Sequence, residues 1–384
     1  MTLVWTITWQ PTSTLPAAPR WGFHLHFCAV PQQTLRADEI LGSVSMLFRP
    51  LSALTLLCAT VAWSPGAHAQ PSAAESAATP QQVRAWLTRI HEAATSRNFQ
   101  GTFVVSGGGA VASARIAHFC EGSNQFERIE SLDGQARHVL RHNDLVHTIW
   151  PGKRVALIEQ RDTLASFPAL FQAGDNRITE FYDVFKQGAD RVAGHEANVL
   201  WVRPKDAHRY GYRLWADKAS GLLLRADVLG DQSEVLETSA FSDVLIGVKP
   251  QPELVLHAMK KLEGYRVVRP VLTATSLEAE GWSLREAVSG FRQVSCVKRP
   301  LDGSAASGES AASLVVQTIY SDGLTHVSVF IEPFNPSRHT RQLHAFVGAT
   351  QTLMQRHGEW WITVVGDVPP GTLRLFAGAL ERRK

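Results

Sequence analysis

Between residues 99 and 241 turn signals cut the chain into short runs at roughly ten-residue spacing. Residues 99–106 end at Gly107-Gly108-Gly109, residues 111–120 at Gly122-Ser123-Asn124, and residues 145–150 at Pro151-Gly152-Lys153, after which 154–160 form a further run. No helix-length segment intervenes to carry a parallel crossover, so these runs predict an antiparallel, meandering sheet. The same pattern returns at 191–202, 210–215, 221–229 and 234–241. Ahead of the sheet, Thr79-Pro80-Gln81-Gln82 has the form of a helix start: a threonine cap, a proline at the first helical position and a glutamine placed to bond back. The helix it opens carries Trp86, Leu87, Ile90, Ala93 and Ala94 on one stripe, which must bury against a face of the sheet.

Within this pattern residues 125–141, QFERIESLDGQARHVLR, read as strand, tight turn and strand. Alternation sends Phe126, Arg128 and Glu130 one way and Glu127 and Ile129 the other, so neither face is wholly apolar. Asp133-Gly134 supplies the hairpin signal, since glycine tolerates positive φ. Arg128, Arg137 and Arg141 have two readings: cross-strand partners for Glu127 and Glu130, or recognition of an anionic lipid phosphate or acidic peptide, for which the planar guanidinium fork is suited. His138 and His142 are four apart on a predicted strand, too far for one metal without a third ligand, and read as solvent-facing or satisfied histidines.

The first residues read as a leader. From Met46 a short basic region at Arg49 precedes an apolar run over 51–63, then Pro65-Gly66 and Ala67-His68-Ala69. This predicts a secretory signal at 46–69 cleaved after Ala69, with 1–45 a mis-assigned upstream extension. The apolar run is too short for a stable span. Cys58 lies inside that run without the small residues a lipoprotein site requires. The remaining 315 residues suggest two domains. Their cysteines, Cys120 and Cys296, either pair in an oxidising compartment or stay as two buried thiols. With 38 basic against 35 acidic residues the chain carries no electrostatic footprint for nucleic acid, and 45% apolar residues suffice for an ordinary core.

Beyond residue 165 the pattern changes. FPALF and then ITEFYDVFKQG crowd Phe181, Tyr182, Val184 and Phe185 into an aromatic cluster, either a short helix or a lid. The boundaries that follow are 79–246 for a first domain, 247–275 for a proline-bearing linker with one helix near 254–262, and 276–384 for a smaller C-terminal domain. In the latter, 302–310 is a Ser/Gly/Ala loop tip, strands over 314–321 and 325–332 flank Asp322-Gly323, and 341–357 reads as helical.

Four segments carry a family resemblance. ERIESLDG followed by Arg137 and Arg141, YRLWADKASGLLLRADVL at 212–229, GWSLREAVSGFRQV with Trp282, Gly290 and Phe291 in matching places, and ITVVGDVPPGTL near the end all resemble the RseB/MucB family of sigma-E regulators, over nearly all of 79–384. Residues 212–229 resemble, more loosely, the lipoprotein carriers LolA and LolB. The resemblance implies a mainly β, α+β fold: a large LolA/LolB-like curved antiparallel sheet covered by helices over an apolar cavity, plus a smaller antiparallel C-terminal domain. It also implies a periplasmic negative regulator of the envelope-stress response. Such a regulator binds the periplasmic domain of a transmembrane anti-sigma factor of RseA/MucA type and shields it from site-1 proteolysis. Lipopolysaccharide or lipoprotein acyl chains would release it. Arg128, Arg137, Arg141, Phe181, Tyr182 and Phe185 are the candidate ligand or partner contacts, and a homo-oligomer stays open. Cys120 departs from the family, standing where an apolar or aromatic residue is expected.

No motif of the chain points to catalysis, a cofactor or a metal: it has no HExxH helix, no CxxC pair, no G-x-S-x-G elbow and no phosphate loop. Gly107-Gly108-Gly109 follows a strand but lacks the helix and lysine of a phosphate loop, and reads as a turn. The rival functions are a lipoprotein carrier or chaperone, for which the second domain is superfluous, and an exported hydrolase with an unrecognised triad.

Overall fold

The computed structural model describes residues 77–160, 177–300 and 314–383. The residues read as a leader (1–69) and as a loop tip (302–310), and the FPALF stretch, lie outside the described residues. Helix α1 (Pro80–Ser96) begins at the expected cap: the Gln82 N–H donates to Thr79 Oγ1 at 3.3 Å and the Thr79 N–H to Gln82 Oε1 at 2.9 Å. Its Val83, Leu87, Ile90 and Ala93 pack with Phe99, Phe103 and Ile116 of the sheet.

That sheet has twelve strands built from two meanders. The first runs β1 (Phe99–Gly107), β2 (Ala110–Glu121), β3 (Asn124–Ser131), β4 (His138–His142), β5 (Leu145–Trp150) and β6 (Val155–Gln160). After the four-residue α2 (Ile178–Phe181), the second runs β7 (Tyr182–Val192), β8 (His195–Pro204), β9 (Gly211–Asp217), β10 (Leu223–Leu229) and β11 (Val235–Ile246). Strand β11 returns antiparallel to β1, so the meanders join side by side in the order β6-β5-β4-β3-β2-β1-β11-β10-β9-β8-β7. Helix α3 (Pro252–Lys260) then lays Val255 and Met259 on Phe119, Phe126, Leu140 and Ile149. Because side chains alternate, Ile116 of β2 serves the α1 face while Phe119 serves the α3 face, which explains why these strands are not amphipathic in the simple sense. Beyond α3, β12 (Arg266–Val268) pairs with β6 in parallel, a pairing made possible by the crossover that α3 provides and absent from the expectation of an antiparallel sheet.

The smaller part comprises β13 (Thr273–Ala274), β14 (Trp282–Leu284), β15 (Arg292–Pro300), β16 (Leu314–Ser321), β17 (His326–Pro333), β18 (Leu343–Val347), β19 (Thr350–His357), β20 (Trp360–Gly366), α4 (Pro370–Ala379) and β21 (Leu380–Arg382). Seven strands form a sheet in the order β13-β15-β16-β17-β20-β19-β18, with β14 and β21 paired separately. Its core holds Trp282, Tyr320, Val329, Ile362 and Val364, closed by Leu373 and Phe376 of α4.

Two local expectations change. Residues 341–357 form the β18–β19 hairpin instead of a helix. Gly348 takes φ +58° at its tip, and residues 351–357 pair with β20 along their whole length, so ladder bonds override the helix propensity of the segment. The Asp133-Gly134 turn is a six-residue loop, 132–137, instead of a two-residue turn. Asp133 Oδ2 accepts the Ser113 N–H at 2.6 Å and so folds the loop back onto β2. Both Cys120 and Cys296 are free thiols. Among the described residues no helix is long and apolar enough to cross a membrane.

Candidate functional site

The six candidate residues fall into two groups, separated by six strands in the hydrogen-bonded order from β3 to β7. On β3, Arg128 Nε donates to Glu130 Oε1 at 2.9 Å, and His138 Nδ1 approaches the same oxygen at 3.2 Å from β4. Burial pushes the Glu130 carboxyl up, but the bonds from Arg128 and His138 outweigh it and hold it below the usual range. Arg141 faces its cross-strand partner Glu127, Nη1 to Oε2 at 3.6 Å, and its Nε donates to the Asn143 carbonyl at 2.5 Å. Arg137 is half-buried at the end of the 132–137 loop, just before β4, where its carbonyl accepts the Ser131 N–H at 3.0 Å. Arg128 and Arg141 thus each engage a carboxylate of the hairpin, Arg128 along its own strand and Arg141 across it, while Arg128 keeps a third of its side chain exposed. His142 stacks on Phe126 with ring centroids 4.7 Å apart, and His138 belongs to the Glu130 group. Among the described residues no group of three or more His, Cys, Asp or Glu could hold a metal.

Of the aromatic group, Phe181 ends the short helix α2, and Tyr182, Val184 and Phe185 lie on β7. Phe185 is buried beside its cross-strand neighbour Trp201, centroids 5.5 Å apart, beneath the Arg203 guanidinium at 4.8 Å. Phe181 and Tyr182 instead enter the seam between the two sheets. The organiser of that seam is Arg209, in the loop before β9, whose side chain is wholly enclosed. Its Nε lies 3.1 Å from Asp322 Oδ2, its Nη1 donates to Asp206 Oδ2 at 2.8 Å and its Nη2 donates to the Ser289 carbonyl at 2.7 Å. Phe181 lies 4.6 Å from the guanidinium carbon and Phe291 5.3 Å from it. The Tyr182 hydroxyl donates to Asp322 Oδ2 at 2.9 Å. Burial raises Asp322, opposed by the backbone N–H groups of Thr325 and Leu324 and then by Arg209. The Tyr182 phenol is held well above its ordinary range by burial and by Asp322. Gly290, at φ +82°, has no room for a side chain: a Cβ would sit 2.5 Å from Arg209 Nη2 and 3.0 Å from the Phe181 ring. The Gly290-Phe291 dipeptide is therefore the place where the second domain closes over Arg209.

A second part of the seam joins β11 to the β18–β19 tip. The Ala349 N–H donates to Glu237 Oε2 at 3.5 Å, and a Cβ on Gly348 would sit 2.5 Å from that oxygen. Gly108 approaches the Gly348 nitrogen so closely that a Cβ would lie 2.8 Å from it. The glycine run read as a turn is one, and it also allows backbone contact with the second sheet. Gln351 Nε2 donates to the Tyr210 hydroxyl at 3.3 Å, and Thr372 Oγ1 to the His208 carbonyl at 2.9 Å. Sequence reasoning missed Arg209 and Glu237 altogether and took Asp322 only as a turn residue. The one available signal was Asp322-Gly323 itself, because an aspartate at such a turn can cap its own backbone.

Comparison with known proteins places this architecture. The MucB/RseB N-terminal domain model matches residues 82–259, and the MucB/RseB C-terminal domain model matches 276–381. The chain is 31% identical over 296 residues to the sigma factor AlgU regulatory protein MucB of Pseudomonas aeruginosa, covering 76% of this chain and 88% of that protein. To the sigma-E factor regulatory protein RseB of Escherichia coli K12 it is 26% identical over 307 residues, 79% of this chain and 92% of that protein. Among solved structures, the Pseudomonas aeruginosa MucA/MucB complex superposes with a TM-score of 0.60 at 26% identity, covering 79% of this chain and 99% of that one. With both domain models matched in order and a relative above 30% identity covered over most of its length, the chain belongs to the MucB/RseB family of sigma-factor regulatory proteins.

Proposed function

We propose that this chain is exported to the periplasm and there binds the periplasmic domain of a membrane anti-sigma factor, shielding it from site-1 proteolysis and so restraining a sigma-E-type factor. The observation that carries the reading is the two-domain match to a family of which one member has been solved in complex with MucA. The mechanism is occlusion with linkage. A bound substrate segment is withheld from the protease, and a ligand favouring the unbound conformer releases it through its differential affinity. The ligand we infer is lipopolysaccharide or lipoprotein acyl chains, with Arg128, Arg137 and Arg141 as anion contacts on the hairpin, while Phe181 and Tyr182 act through the seam and Phe185 lines β7. No catalytic step is required of the protein in this scheme.

The test is binding of the purified chain to the periplasmic fragment of its anti-sigma factor. Saturable binding that protects the fragment from site-1 protease, reversed by lipopolysaccharide, is the expected result. Transfer of lipoprotein between membranes without such protection would make the protein a carrier and overturn the proposal.

A further inference from the structure

Beneath the C-terminal turn of α1, a line of side chains crosses the sheet from β4 to β2. Arg141 faces Glu127, Glu127 Oε1 lies 3.1 Å from His118 Nδ1, and His118 Nε2 lies 3.2 Å from Cys120 Sγ. The Cys120 sulfur is in turn 3.0 Å from the Thr95 carbonyl, in the last turn of α1. His118 is almost fully buried, stacked on Phe99 with centroids 5.2 Å apart, whereas Cys120 keeps partial access to solvent. Burial opposes a charge on His118, but its contacts with Cys120 and Glu127 outweigh that cost and push it up to about 9. The raised value favours the imidazolium, with Nδ1–H toward Glu127 and Nε2–H toward the sulfur.

A nucleophile, a ring that donates to it and a carboxylate that orients the ring are the three parts of an activated cysteine. The surroundings also tolerate loss of the thiol proton. The Thr95 carbonyl, which accepts from the thiol, also accepts from Gln125 Nε2 at 3.1 Å, so it stays satisfied when the sulfur becomes an acceptor only.

We propose that Cys120 is a reactive thiol activated by His118 and Glu127, a modification site for small peroxides in the oxidising compartment. In the step envisaged the thiol has released its proton to solvent, and the thiolate attacks one oxygen of hydrogen peroxide. The S–O bond forms as the O–O bond breaks, the sulfur is oxidised by two electrons to sulfenic acid, and the departing hydroxide takes the His118 Nε2 proton and leaves as water. His118 protonates the leaving oxygen, and Glu127 is a positioning residue that acts through the ring. The added oxygen would lie against the Thr95 carbonyl and bear on the seat of α1.

The test measures alkylation of the full chain by iodoacetamide at neutral pH, with peptide-resolved mass spectrometry separating Cys120 from the other cysteines. Cys120 in the folded protein should react about tenfold faster than in the same chain unfolded in urea, while buried Cys296 reacts more slowly than when unfolded. Glu127→Gln keeps an acceptor for the ring but removes the charge, so it should lower the melting temperature, because Arg141 and His118 lose their carboxylate. It should also cut the Cys120 rate about tenfold at a temperature where the variant is fully folded, an effect on the rate that a purely structural role would not produce. Hydrogen peroxide followed by dimedone should label Cys120. A folded-state rate no greater than the unfolded one, a Glu127→Gln rate equal to the parent's, or absence of a dimedone adduct would each overturn the proposal.

Discussion

Arg209 Nε and Asp322 Oδ2 stand 3.1 Å apart with both side chains fully enclosed, one from the large sheet's β8–β9 loop and the other from the turn between β16 and β17. Each has partners on its own side, Asp206 for the guanidinium and the Leu324 and Thr325 N–H groups for the carboxylate, but the contact between Arg209 Nε and Asp322 Oδ2 exists only once the two domains have closed on each other. The aspartate is held from its own side as well, Oδ1 accepting the Leu324 and Thr325 N–H groups at 2.9 and 2.8 Å.

Removing one member of this pair strands a buried charge. Asp322→Ala is expected to cost about 3–5 kcal/mol in urea unfolding. The double replacement Arg209→Met with Asp322→Leu should recover only the charge part of that loss, because the Tyr182 hydroxyl and the Leu324 and Thr325 N–H groups still lose their acceptor. Equal losses in the single and double variants would show that the pair is not the element holding the seam.

Gly290 makes a sharper steric test. Gly290→Ala places a methyl against Arg209 and Phe181 at a positive φ that alanine resists, and should destabilise the protein by more than about 1 kcal/mol. Gly109→Ala, also at positive φ but with open space around the new Cβ, isolates the conformational part of the cost. The difference between the two melting temperatures measures the closeness of the seam.

Glu237 predicts a pH dependence. Burial, with the nearby Asp367, pushes its carboxyl up to about 7 from an ordinary value of 4.5. The native state then binds more protons than the unfolded chain in this window, so stability falls as pH rises from about 4.5 to about 7 and levels off above it. The shift corresponds to roughly 3 kcal/mol. Urea midpoints across this range should show the slope in the parent and lose it in Glu237→Gln, which should be the more stable protein at alkaline pH.

His118 acts in a different window. Its folded-state value is raised to about 9 from 6.5, so the stabilisation from its charge is complete below 6.5 and is lost as pH rises through about 9. His118→Gln should abolish that alkaline decline while leaving the Glu237 slope in place. Midpoints measured from neutral to alkaline pH decide the matter.

Arg128 bears on the proposed ligand. Arg128→Ala removes a partly exposed guanidinium whose loss should change folding stability by less than about 1 kcal/mol, given its solvent screening. Binding of lipopolysaccharide, measured by calorimetry, should weaken about tenfold if that guanidinium meets a phosphate. Unchanged affinity would remove Arg128 from the ligand contacts.

The amino-acid sequence alone determined what depends on neighbours within a few residues. The Thr79–Gln82 box sets the start of α1, and the period-two runs punctuated by glycine and proline set the two meanders. Asp322-Gly323 marks the β16–β17 turn. Each is legible because its energetics are local. Tertiary structure alone decided the rest. Residues 341–357 became a hairpin because β20 offered a ladder for them. The glycine run 107–109 met Gly348, and the candidate arginines and aromatics parted to distant strands. Arg209, Tyr182 and Asp322 converged from three separate stretches of chain. No local pattern encodes such meetings, since a buried charge finds its partner only when closure of the domains excludes water from both.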